Sequence, residues 1–119
     1  MKKILIIDDS KSYVLVISQN LEEAGFHVAS AEDGEQGLVA IEKEKPDLIL
    51  LDIEMPKMDG ITMSKKMKEK GINIPVIFLT NMGDLKHISQ AMETASDYII
   101  KSDMSAVDIV KRVKERLNK

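Results

Sequence analysis

Four apolar runs in this chain each end in polar residues that can carry chemistry, and this arrangement constrains the fold more than any other feature. The runs end in Asp8-Asp9, Asp52, Thr80 and Lys101. Short uninterrupted apolar runs between amphipathic stretches are typical of parallel strands buried on both faces. In an open α/β sheet, ligands bind outside the carboxyl ends of the strands. The sequence therefore predicts one crevice that gathers carboxylates, a hydroxyl and an ammonium group.

Composition limits the classes of protein to which the chain can belong. It has 119 residues, 44% of them hydrophobic, and a net charge of -3, which fits one compact domain with a real core. Without a basic excess, we expect no direct binding to nucleic acid. The lack of cysteine excludes disulfides and thiolate metal sites. The first apolar run is too short for a signal peptide or a membrane span, so we expect a cytoplasmic protein without membrane attachment.

Strand and helix patterns alternate along the whole chain. Five βα units with short crossovers predict an all-parallel sheet covered by helices on both faces. The expected fold class is α/β, a (βα)5 doubly wound, flavodoxin-like sandwich with strand order 2-1-3-4-5. The predicted strands cover about 3–8, 26–31, 47–52, 75–80 and 97–101, and the predicted helices about 10–24, 35–45, 61–70, 84–94 and 105–117.

The carboxylates at the strand ends predict a metal site. In the expected strand order, Asp8 and Asp9 face Asp52 across the switch point of the sheet. Two carboxylates about 4 Å apart repel each other by roughly 4 kcal/mol at an effective dielectric constant near 20, so the cluster needs a raised pKa or a cation. Oxygen ligands without Cys or His select a hard ion, and we predict Mg²⁺, for which Mn²⁺ can substitute.

The remaining polar residues predict an anion beside that metal. Thr80 can donate a hydrogen bond and Lys101 offers a compact positive charge, which together suit a phosphoryl group. A carboxylate can act as a nucleophile and form an aspartyl phosphate. An in-line carboxylate, a divalent ion and positive donors are the components of phosphoryl transfer. Asp52 is the predicted phosphoryl acceptor.

Several motifs, in fixed order and spacing, match a known family. They are Ile6-Ile7-Asp8-Asp9, the segment 46–60 around Asp52, Leu79-Thr80 and Asp97-Tyr98-Ile99-Ile100-Lys101. With them, the chain resembles the receiver domains of two-component response regulators over essentially its whole length. The resemblance implies a receiver domain over residues 1–119 with no output domain, of the stand-alone chemotaxis type.

The resemblance also implies the partners of the protein. A sensor histidine kinase or a phosphotransfer protein would supply the phosphoryl group from a phosphohistidine to Asp52. The signal would pass to an unidentified output protein by protein–protein contact. The sequence leaves open whether the protein is a monomer or a phosphorylation-dependent dimer.

The same resemblance assigns roles to individual residues. Asp9, Asp52 and the backbone carbonyl of Glu54 would be direct metal ligands, and Asp8 would act mainly through a bound water. Thr80 and Lys101 would hold phosphoryl oxygens. Tyr98 matches the aromatic residue that changes rotamer when Thr80 moves toward the phosphate. The surface formed by the fourth helix, the fifth strand and the fifth helix would then change shape.

The chain departs from the family at several positions. Ser102 follows Lys101 where the family usually has a cis proline. A cis bond before a non-proline residue costs roughly 2.5–4 kcal/mol, so we predict a trans bond and a rearranged loop. Asn81 stands where the family prefers a smaller residue. Glu54 and Met82 occupy positions that tune dephosphorylation, and we predict a longer phosphate lifetime than in fast chemotaxis receivers.

Other functions remain open at this stage. A degenerate receiver could act as a constitutive protein-binding module, with Asn81 and Ser102 as signs of a disused site. A small Mg²⁺-dependent phosphatase of the haloacid dehalogenase type would use Asp-x-Asp, but Glu54 occupies the second position here. The sequence could also be part of a longer regulator or hybrid kinase. We predict a switch that catalyses only its own phosphorylation and dephosphorylation, and not an enzyme.

Overall fold

Five parallel strands form the central sheet of the computed structural model, which describes residues 1–81 and 97–118. The strands are β1 (Lys3–Ile7), β2 (His27–Ala31), β3 (Leu48–Asp52), β4 (Val76–Thr80) and β5 (Asp97–Ile100). Their order is β2-β1-β3-β4-β5, and every neighbouring pair is parallel. The predicted fold class and strand order are confirmed.

Helices cover both faces of this sheet. They are α1 (Lys11–Glu23), α2 (Gly34–Glu44), α3 (Gly60–Glu69) and a C-terminal helix (Ala106–Leu117), and a 3-10 turn (Lys101–Asp103) follows β5. The helix predicted at about 84–94 lies outside the described residues. Within residues 1–81 and 97–118, no helix combines the length and the apolar character that a membrane span requires.

The sheet separates two apolar cores. Because successive side chains of a strand point to opposite faces, Leu5 and Ile7 enter one core while Ile4 and Ile6 enter the other. The strands β1, β3 and β4 are buried on both faces, which explains why their sequences show uninterrupted apolar runs without polar alternation. The helices contribute Ile41, Ile61, Met63 and Met67 to the first core, and Ile17, Leu21, Ile109, Val110 and Val113 to the second.

Two aspartates that precede glycines begin the helices α2 and α3. The Asp33 carboxylate accepts a hydrogen bond from the backbone N–H of Gln36 at 2.9 Å, and that of Asp59 accepts one from Thr62 at 2.7 Å. Both aspartates are therefore helix N-caps. The N-cap of α3 fixes where the loop after Asp52 ends.

Gly60 allows the start of α3 to pass directly behind Asp52. A Cβ atom at this position would clash with the carbonyl oxygen of Asp52. We expect Gly60→Ala to lower the free energy of unfolding by about 3 kcal/mol, because the added Cβ meets the backbone of Asp52, which cannot shift without a large cost. Urea denaturation of the cation-free protein would measure the loss.

Gly25→Ala is the matched control for that variant. Gly25 has a φ of +98° and no atom within 4 Å of an added Cβ, so Ala there adds backbone strain but no clash. Its expected cost is about 1–2 kcal/mol. If the two variants lost the same stability, close approach behind Asp52 would not explain the glycine at position 60.

Candidate functional site

Three carboxylates meet at the carboxyl edge of β1 and β3. Ile7 pairs with Leu51, so Asp8 and Asp9 follow β1 beside the last residue of β3, which is Asp52. One carboxylate oxygen from each aspartate lies within 4.8 Å of the other two. Asp8 and Asp52 are buried, while Asp9 is exposed. The structure thus brings together the three aspartates that the sequence predicted to face each other.

Lys101 reaches into this cluster from the turn after β5. Its Nζ lies 2.6 Å from Oδ2 of Asp8 and 3.7 Å from Oδ2 of Asp52. The lysine side chain is only 14% exposed, so solvent screens these two ion pairs weakly. The bond between Lys101 and Ser102 is trans, as predicted, and the residues after β5 form a 3-10 turn.

The two carboxylate oxygens of Asp8 have different partners. Oδ1 accepts a hydrogen bond from the backbone N–H of Ser10 at 2.9 Å. Oδ2 is buried and forms no aligned hydrogen bond within the described parts of the chain, although the Lys101 ammonium pairs with it electrostatically. The three carboxylates form an all-oxygen cluster, which fits a hard divalent cation.

Asp52 carries a strongly perturbed carboxyl group. Burial is the main cause that raises its pKa to about 7, and the negative charge of Asp8 adds to it. The Lys101 ammonium and a backbone hydrogen bond from Glu54 act in the opposite direction, while Asp9 raises the pKa further. The Glu54 N–H lies 3.3 Å from Oδ1 of Asp52. Without a cation, Asp52 is therefore only partly ionised near neutral pH.

Thr80 lies at the same edge of the sheet, on the strand next to Asp52. Leu79 pairs with Asp52, and Thr80 is the last residue of β4. The side chain is fully buried, and its hydroxyl donates a hydrogen bond to the carbonyl oxygen of Asn81 at 3.0 Å. Asn81 itself is exposed. This hydroxyl is therefore directed at the loop after β4.

The other predicted residues surround this group. Glu54 is exposed in the bend after β3, so its side chain is open to solvent while its backbone contacts Asp52. Tyr98 is partly buried in β5, where it pairs with Phe78 and packs against the first core. Met82 lies outside the described residues.

Tyr13 contacts the site, although it was not identified as a site residue from the sequence. Its ring centroid lies 4.6 Å from Nζ of Lys101. The hydroxyl is buried and makes no hydrogen bond among residues 1–81 and 97–118. Burial, with added repulsion from Asp8 and Asp52, raises the pKa of Tyr13 to about 12. The available signal was its place in the first turn of the helix that follows Asp8-Asp9.

Comparison with known sequences gives a consistent match. The family described as the response regulator receiver domain matches residues 4–114. The transcriptional regulatory protein PhoP of Bacillus subtilis, which controls alkaline phosphatase synthesis, is 36% identical over 118 residues. That match covers 99% of this chain and 49% of PhoP, so the chain spans about half the length of that relative. Sporulation initiation phosphotransferase F of the same species is 39% identical over 92 residues, covering 77% of this chain and 74% of the relative.

Solved structures of other proteins share the fold of nearly the whole chain. A CheY-like receiver domain protein of Methanospirillum hungatei has a TM-score of 0.91 at 30% identity, with 99% of this chain and 94% of that chain covered. The response regulator TrrA of Thermotoga maritima was solved in complex with Mg²⁺-BeF. It has a TM-score of 0.84 at 28% identity, with 97% of this chain and 98% of that chain covered.

Proposed function

This chain belongs to the receiver domains of response regulators, and we propose that it is a switch that accepts a phosphoryl group on Asp52. One observation carries the proposal: a buried carboxylate, two neighbouring carboxylates and an ammonium group converge at one edge of the sheet. That arrangement matches the requirements of phosphoryl transfer to an aspartate.

The proposed donor is a phosphohistidine of a sensor histidine kinase or a phosphotransfer protein. A carboxylate oxygen of Asp52 attacks phosphorus and forms an O–P bond as the P–N bond of the donor breaks. The electron pair stays on the imidazole nitrogen, which takes up a proton. Lys101, 3.7 Å from Oδ2 of Asp52, balances negative charge that arrives with the phosphoryl group.

The residues that we propose to hold Mg²⁺ are Asp9, Asp52 and the backbone carbonyl of Glu54, with Asp8 acting through water. The close approach of the three carboxylates and the purely oxygen donor set support this assignment. Mn²⁺ shares the preference for oxygen ligands and can substitute. When bound, the divalent ion neutralises charge on the phosphoryl oxygens.

Two exposed residues beside Asp52 are proposed to tune dephosphorylation. Glu54 and Asn81 flank the site from the loops after β3 and β4. Their polar side chains could orient or exclude a water that attacks the phosphoryl group. Met82 keeps this role as a prediction from the sequence alone.

The switch itself is proposed to run from Thr80 to Tyr98. The Thr80 hydroxyl has to leave the Asn81 carbonyl to reach a phosphoryl oxygen, and Tyr98 fills the space that it vacates. The surface that responds comprises β5, the C-terminal helix and the helix predicted at about 84–94. An output protein would read this surface by direct contact.

Loss of Thr80 should uncouple phosphorylation from that response. In Thr80→Ala we expect an adduct on Asp52 and nearly normal Mg²⁺ binding, but much smaller amide chemical-shift changes in β5 and the C-terminal helix. A full shift of the conformational equilibrium from 1:99 to 99:1 takes about 5.5 kcal/mol of differential stabilisation. The variant lacks the Thr80 hydroxyl and could not supply that free energy. Thr62→Ala, at an exposed position of α3, is the control. A full chemical-shift response in Thr80→Ala would contradict the coupling scheme. Lys101→Ala is expected to give the same result as Thr80→Ala, an adduct with a much smaller response.

Incubation with acetyl phosphate and Mg²⁺, followed by intact mass measurement, tests the function as a whole. We expect one added phosphoryl group, and none when a chelator is present. If no adduct formed with acetyl phosphate or with a phosphohistidine donor, the protein would be a constitutive binding module. Repeated turnover of a phosphomonoester would instead indicate a phosphatase.

A further inference from the structure

We propose that the ring of Tyr13 positions the Lys101 ammonium for phosphoryl transfer. The proposal rests on the function assigned to Asp52 above. Tyr13 is treated as a positioning residue, because it acts through Lys101.

Three groups lie close to the ammonium of Lys101. Oδ2 of Asp8 lies at 2.6 Å, Oδ2 of Asp52 at 3.7 Å, and the Tyr13 ring centroid at 4.6 Å. The ring distance is well within the range of a cation–π interaction, and such contacts strengthen when the cation is removed from water. Lys101 has lost most of its exposure, so the ring is a substantial part of its surroundings.

The backbone around Lys101 gives this contact its importance. The 3-10 turn Lys101–Asp103 contains no buried residue. The side-chain contacts of Lys101 therefore contribute to fixing where its ammonium lies. The trans bond before Ser102 is part of this local arrangement.

The ring differs from the carboxylates in what it can bind. The carboxylate oxygens of Asp8 and Asp52 would bind a cation, and Asp52 would bond to the phosphoryl group. Each of these interactions weakens the ion pair between that carboxylate and Lys101. A phenol ring face does not compete for those ligands. Tyr13 therefore keeps the ammonium beside Asp52 while the carboxylates change partners.

The ring, and not the hydroxyl, carries this role. The Tyr13 hydroxyl is buried without a hydrogen-bond partner among the described residues, so it does not hold Lys101. Tyr13→Phe keeps the ring, whereas Tyr13→Leu replaces it with an apolar side chain without π electrons. These two variants separate the contributions of ring and hydroxyl.

A double-mutant cycle with acetyl phosphate and Mg²⁺ tests the proposal. We expect Tyr13→Leu to slow phosphorylation about thirtyfold, the rate equivalent of a desolvated cation–π contact. Tyr13→Phe, which keeps the ring, should phosphorylate at a rate within about twofold of wild type. In a Lys101→Met background, Tyr13→Leu should slow the reaction no further. Val16→Ala, at an exposed position of the same helix, is the control.

A second readout needs no phosphoryl donor. The ring current of Tyr13 should shift the Lys101 side-chain methylene protons upfield, and the shift should vanish in Tyr13→Leu but persist in Tyr13→Phe. Absence of that shift in wild type would overturn the proposal. So would equal rate losses for Tyr13→Leu in the wild-type and Lys101→Met backgrounds, with the switch function left standing. A wild type that shows the shift but takes no phosphoryl group would refute the switch function and, with it, the positioning role.

Discussion

Asp52→Asn is expected to abolish the phosphoryl adduct. The amide has nearly the shape of the carboxylate but lacks the anionic oxygen that would bond to phosphorus. Removal of a nucleophile typically lowers rates by several orders of magnitude, so we expect a loss of at least about a thousandfold. Intact mass after incubation with acetyl phosphate and Mg²⁺, followed over time, would measure it.

Asp59→Asn is the matched control for this variant. Asp59 is an exposed N-cap of α3 in the loop that follows Asp52, and Asn caps helices as well as Asp. The control should form the same adduct as wild type. An adduct of undiminished amount in Asp52→Asn would mean that a different residue, such as Asp8 or Asp9, is the acceptor.

Much of the fold could be predicted because burial leaves a direct mark on sequence. The strands β1, β3 and β4 lie between two helical layers, so their apolar runs are uninterrupted and easily found. Once strand order is known, the chain positions of Asp8, Asp9 and Asp52 imply their proximity, because parallel strands end at the same edge.

Contacts that depend on side-chain direction could not be predicted in this way. Tyr13 meets Lys101 only because α1 packs beside the turn after β5, and those residues are far apart in sequence. The hydrogen bond of Thr80 to the adjacent Asn81 carbonyl is a rotamer choice that no sequence pattern encodes. Asp33 and Asp59 precede glycines, which suggests turns, yet the chain continues directly into helices.

The stability of the cation-free protein should depend on pH because of Asp52. Its carboxyl group has a pKa of about 7 in the folded state against an ordinary value of 3.8. The folded state therefore binds this proton more tightly than the unfolded state does. The resulting stability is fully present below pH 3.8 and is lost as the pH rises through about 7. From this group we expect a loss of a few kcal/mol across that interval.

Urea denaturation between pH 4 and pH 8, with and without Mg²⁺, would measure this dependence. Asp52→Asn cannot ionise at this position, so its profile should be flatter and its free energy of unfolding higher than that of wild type above about pH 7. If Asp52 is a metal ligand, as proposed, it must be deprotonated to bind, so Mg²⁺ should stabilise wild type most at the upper end of the range and progressively less below pH 7. If Asp52→Asn retained the full slope of stability against pH, a group other than Asp52 would be the source of the pH dependence. The charge of the buried Asp52 carboxyl would then not be what a bound cation compensates.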